Sequence, residues 1–78
     1  MNFEWRPNKS FNHMEVFDLY INGTYGHAWV WLNKVSRLWN ATRYDPITGA
    51  KHLGSGALYE AQDILIAGIV ERRLDGAT

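Results

Sequence analysis

Three features of the 78-residue sequence predict an α+β domain, a three-stranded antiparallel β-meander packed against one C-terminal α-helix. Met14–Ile21 is rich in β-formers and runs directly into Asn22-Gly23. That dipeptide tolerates the two positive φ angles of a type I′ hairpin turn. Two further extended stretches follow, Thr24–Leu32 and Arg37–Tyr44, the second ended by Asp45-Pro46-Ile47-Thr48-Gly49. Beyond residue 57 the apolar residues recur at helical spacing.

Residues 1–12 are polar, with Phe3, Trp5 and Phe11 spaced through them. Pro7 cannot donate to a ladder, so any strand in this arm is short and lies at an edge. The arm reads as irregular, tacked down by one or two of its aromatic rings.

The meander spans residues 13–45. With Ile21 and Thr24 flanking a two-residue turn, Leu19 is expected to face Gly26, and Phe17 to face Ala28. One sheet face then carries Phe17, Leu19 and Ile21 beside Gly26, Ala28, Val30 and Leu32, and suits a helix. The other carries Val16, Asp18 and Tyr20 beside Tyr25, His27, Trp29 and Trp31. Lys34-Val35-Ser36 connects to the third strand. Trp39 and Ala41 join the core if Leu38, Asn40, Thr42 and Tyr44 lie on the aromatic side, and the opposite phase is also open. Leu53-Gly54-Ser55-Gly56 reads as a loop.

A helix is expected over 57–74, closed by Gly76. Glu60 in its first turn and Arg72 and Arg73 in its last suit the helix dipole. Leu58, Ala61, Leu65, Gly68 and Ile69 share one face, with Ile64 at its margin. Gly68 costs about 1 kcal/mol of helix propensity, so a close approach to Gly26 or Ala28 is expected there. A second stripe, Tyr59, Ile66 and Val70, points away. It offers a self-association seam for a homodimer, unless the helix sinks deeply enough in the core to bury it.

Composition narrows the function. A chain this short buries only about 60% of its unfolded surface. At about 0.05–0.15 kcal/mol per residue its stability is about 4–12 kcal/mol. Four Trp, four Tyr and three Phe are a heavy aromatic load for so thin a core, and they point to a contact surface. Without cysteine there are no disulfides or thiolate metal sites, and with no apolar leader the expected location is cytoplasmic. The longest apolar run, Ile64–Val70, is too short to span a membrane. Eight basic and eight acidic residues cancel, leaving no net field toward nucleic acid.

The best binding surface is the aromatic sheet face: Tyr20, Tyr25, His27, Trp29 and Trp31, with Arg37 and Arg43 as a polar rim. The alternative is that residues 1–12 fold back over it. His13, His27 and His52 lack metal-ligand spacing, so no metal or cofactor is expected. Ser36 and Ser55 show no marks of a strained nucleophile, so the chain does not read as an enzyme. Gly49, Gly54 and Gly56 near Lys51 lack the phosphate-loop pattern and read as turn chemistry. Asn22-Gly23-Thr24 and Asn40-Ala41-Thr42 are glycosylation sequons that here read as turn and strand chemistry. Arg37, Arg43 and Lys51 would form a small basic edge, the basis of an alternative nucleic-acid-binding reading.

Several segments together resemble small phage and prophage proteins of β-β-β-α layout. They are Tyr20-Ile21-Asn22-Gly23, Trp39-Asn40-Ala41-Thr42, the Gly49-Ala50-Lys51-His52-Leu53-Gly54 loop, and Leu58-Tyr59-Glu60-Ala61. The resemblance covers residues 14–74. It departs at Ala57, where a Ser or Thr cap is usual, and in the apolar Ile64–Val70. Many such proteins are stoichiometric inhibitors of host machinery, anti-CRISPR proteins among them. The resemblance therefore implies a host protein or ribonucleoprotein complex as partner. A structural or scaffold subunit joined through the helix stripe is a further alternative.

Overall fold

The computed structural model describes residues 1–11 and 13–76, with side chains through Glu71. Asn12 of the arm, and the Arg72 and Arg73 side chains expected to serve the helix dipole, lie outside the described residues. Five strands, β1 (Phe3–Pro7), β2 (Val16–Ile21), β3 (Thr24–Leu32), β4 (Trp39–Asp45) and β5 (Gly49–Gly56), precede helix α1 (Leu58–Gly76). They form one antiparallel sheet in the order β1-β2-β3-β4-β5. The α+β class and C-terminal helix hold. The three-stranded sheet does not: the arm and the glycine-rich loop each supply another strand.

The arm becomes an edge strand because its alternation fits the sheet. Phe3 pairs with Ile21 and Trp5 with Leu19, and both rings pack against the core. Glu4 and Arg6 point the other way. Pro7 closes the strand at the edge, where a missing N–H is tolerated. Asn22 secures the start. Its amide donates to Asn2 O at 2.8 Å, and its Oδ1 accepts from Asn2 N at 2.8 Å.

Asn22 (φ 52°) and Gly23 (φ 83°) adopt the positive angles of the expected hairpin turn, with Ile21 opposite Thr24. The register beyond it differs from the simple reading. Tyr20 pairs with Tyr25 but Asp18 with Trp29, so Leu19 alone stands against Gly26, His27 and Ala28. Phe17 pairs with Val30, not Ala28. His27, at φ 53°, absorbs the extra length. Two extra residues are an even number, so the inside–outside alternation survives the shift.

The connector between β3 and β4 is longer than Lys34-Val35-Ser36. Asn33 Oδ1 accepts from Val35 N (2.9 Å) and Ser36 N (3.2 Å), and Asn33 N donates to Leu38 O at 2.9 Å. Arg37 sits in this turn at φ 60°, outside the strand it was expected to begin. Trp39 and Ala41 face the core, and Asn40 and Thr42 pair with Trp31 and Trp29.

Asp45-Pro46-Ile47-Thr48-Gly49 turns the chain back to form β5. Asp45 Oδ1 accepts from Ile47 N (2.7 Å) and Thr48 N (3.3 Å), and Gly49 takes φ 82°. The core is Leu19, Ala28, Val30, Ala41, Ala61 and Leu65, where small sheet residues let α1 settle. The close approach lies at Gly54. A Cβ there would meet Ile64 Cδ1 at 2.8 Å, whereas one on Gly68 would meet no atom within 4 Å. Glu60 Oε1 accepts from Ala57 N at 3.2 Å, the returning half of a capping box that needs no hydroxyl at Ala57.

Candidate functional site: the open face of the sheet

Helix α1 packs on β3, β4 and β5 from one side. Among the described residues no element lies across the other. Strand β1 extends the sheet sideways, while Asn8 and Phe11 after it border the face beside Trp29 and Trp31. Trp29 and Trp31 remain half-buried, and Tyr25 and His27 are exposed.

A row of rings crosses this face. Tyr20 and Tyr25 stand 5.8 Å apart, Tyr25 and His27 4.8 Å, and His27 and Tyr44 6.5 Å, all tilted. The Arg6 guanidinium covers the Tyr20 ring at 3.9 Å and is held by Glu4 Oε2 at 2.8 Å. That hydrogen bond keeps the Glu4 carboxyl below its ordinary range and lifts the Arg6 guanidinium further.

Beside the row lies a groove of about 290 Å³. Trp29, Trp31 and Tyr25 of the sheet line it together with Phe11 and Met14 from the loop after β1. Val16, Asp18 and Asn8 complete it. Asn8 fixes the local geometry. Its amide donates to Val16 O (2.9 Å), its Nδ2 to Asp18 Oδ2 (2.9 Å), and its Oδ1 accepts from Ser10 N (3.0 Å). Burial raises the Asp18 carboxyl above its ordinary range, partly offset by the Asn8 bond. Burial also raises the Tyr25 hydroxyl, with the Asp18 charge adding to it. Trp31 Nε1 donates to buried Thr42 Oγ1 at 3.4 Å, which orients that indole.

The structure thus brings together Tyr20, Tyr25, His27, Trp29 and Trp31. It does not bring Arg37 and Arg43 to their rim. Arg37 is in the β3–β4 turn, its amide donating to Asn33 O at 2.7 Å, rather than on a strand of the face. Arg43 pairs with Ala28 and so shares the helix side, where its Nε is closed from solvent without a hydrogen-bond partner among the described residues. The basic edge is likewise dispersed: only Arg43 and Lys51 are cross-strand neighbours. The helix stripe is outward-facing, with Tyr59 67% and Val70 40% exposed and Ile66 half-buried. Arg6, Phe11 and Met14 belong to the open face and were missed in sequence. Arg6 carried a signal, because Phe3 and Trp5 alternate with Glu4 and Arg6. Phe11 and Met14 sit in a loop, where periodicity says nothing.

A polar triangle lies farther along the same face. Ser55 Oγ donates to Asn40 Oδ1 at 2.7 Å, and His52 Nε2 lies 3.0 Å from Ser55 Oγ. Asn40 Nδ2 donates to Leu38 O, which fixes the amide's orientation. His52 Nε2 also lies 3.2 Å from Asn40 Oδ1, so the imidazole meets both partners and its tautomer sets which way the contacts run. Among the described residues no group of His, Asp or Glu is arranged to hold a metal. No helix among them is long and apolar enough to cross a membrane.

No family model, curated protein or solved structure matches this chain.

Proposed function

We propose that this chain is a binding protein that lays the open face of its sheet on a macromolecular partner and occludes it. The partner class is a host protein or ribonucleoprotein complex. The mode is that of small phage-encoded inhibitors of host machinery, with a CRISPR effector as one such target. A single observation supports the reading: among the described residues no strand or helix lies across the second sheet face, and that face holds the aromatic row and the groove. Trp and Tyr give large, rigid contact area at low entropy cost. The resemblance to phage proteins supplies the inhibitor class.

Nucleic acid is the less favoured partner. Stacking on an aromatic sheet is a known mode for single strands. Here, however, the one charged group among the described residues that line the groove is the carboxylate of Asp18, and the nearby Arg6 is engaged by Glu4.

The purified chain, immobilised and exposed to nuclease-treated bacterial lysate, is expected to retain a defined complex that Trp29→Ala fails to retain. Gel-shift titration at two salt concentrations is the counter-test. Tight binding to bare nucleic acid with a steep salt slope would replace this reading with the nucleic-acid one.

A further inference from the structure

We infer that the groove between Trp29, Trp31 and Met14 is a receptor for a cationic side chain of the partner protein, an arginine above all. This rests on the reading of the open face as the contact surface, and it names the chemistry recognised there.

The groove has two properties that are rarely joined. Its walls are apolar and aromatic, and among the described residues the one charged residue that lines it is negative. Asp18 lies directly across from Trp29 in the sheet register, so carboxylate and indole are adjacent on one face. Among the described residues Asp18 forms no ion pair. Arg6, its partner across β1 and β2, is drawn off to Glu4 and the Tyr20 ring. What Asp18 does have is one neutral donor, Asn8 Nδ2, which orients the carboxyl without neutralising it.

A half-buried carboxylate with no counter-ion is costly for a small domain. An incoming cation would relieve that cost and gain the faces of two indoles and a phenol. Arginine fits better than lysine. Its guanidinium is planar, stacks on aromatic rings, is weakly hydrated and presents parallel donors to a carboxylate. A neutral apolar side chain would fill the same walls yet leave Asp18 buried and unpaired. A phosphate or acidic side chain would be repelled. Charge complementarity therefore selects the occupant.

The test uses the full chain labelled with ¹⁵N and two peptides, acetyl-Gly-Arg-Gly-amide and its isosteric citrulline counterpart. The indole N–H signals of Trp29 and Trp31 are followed through the millimolar range. The arginine peptide is expected to move both signals and to bind about tenfold more tightly than the citrulline peptide. Asp18→Asn, which keeps the Asn8 contact and the groove's shape, should erase that difference. Equal binding of the two peptides by the parent chain would overturn the cation receptor while leaving the contact face in place. So would discrimination that persists in Asp18→Asn. Silence from both peptides would also overturn it, and the contact face would then stand or fall by the lysate capture.

Discussion

The two faces of the sheet are built from the same strands but follow opposite rules. The helix side is graded by size. Leu19 and Leu65 fill the spaces left by Ala28, Ala41 and Ala61, and all five are sealed from solvent. The open side carries Tyr20, Tyr25, Trp29, Trp31 and Met14, none of its indoles or phenols sealed, whereas Phe3, Trp5, Phe17 and Trp39 of the helix side pack against the core. The division teaches that core and contact surface have been separated across one sheet, with β1 widening both.

Changes on the helix side should therefore dominate stability. Leu19→Ala is expected to cost about 2–5 kcal/mol, read as a fall in urea midpoint, which is a large share of the total for a domain this small. Gly54→Val should come next. Its Cβ would press on Ile64 Cδ1, and overpacking of that kind costs about 1–3 kcal/mol. Gly68→Ala should go the other way, stabilising by about 1 kcal/mol, because the position is helical and free of neighbours within 4 Å. The pair separates the two glycines by function: one admits the helix to β5, the other only weakens the helix.

The smallest effect is electrostatic and lies on the open side. Asp18 has its folded-state pKa raised by burial, so the folded chain holds that proton more tightly than the unfolded chain does. The associated stability is present at low pH and lost as pH rises through the folded-state value. Glu4 works in the opposite sense, its pKa lowered by Arg6, and Tyr25 also faces the groove, with Tyr20 beside it in the ring row. Subtracting an Asp18→Asn titration from the parent's isolates the one carboxyl. Asp18→Asn should match or exceed the parent at pH 7, and the gap should close as pH falls through the range just above that of an ordinary Asp.

Much of this was legible in the sequence, for identifiable reasons. Asn22-Gly23 announced the hairpin, and alternation assigned Leu19 and Trp29 to opposite faces. The helical period separated Ala61 and Leu65 from Tyr59 and Val70. The misreadings share one cause: local composition hid a partner that only the sheet provides. Gly49, Gly54 and Gly56 look like a loop until β4 pairs with them and Ile64 explains Gly54. Pro7 makes the arm look irregular until Asn22 ties Asn2 to the hairpin turn. The two-residue bulge at Gly26–His27 left no trace, since an even insertion preserves the pattern of sides. Arg43 was assigned to the rim for its charge, although its place two residues after Ala41 puts it on the helix side.

The account depends on the open face being dispensable to the fold. Equilibrium urea unfolding of Trp29→Ala, followed by circular dichroism beside the parent chain, tests this most directly. The expected result is a native spectrum, an unchanged denaturant slope and a loss of about 1 kcal/mol or less. A loss of about 3 kcal/mol or more, in the range expected of a sealed core residue, would contradict it, because that indole would then be holding the sheet together.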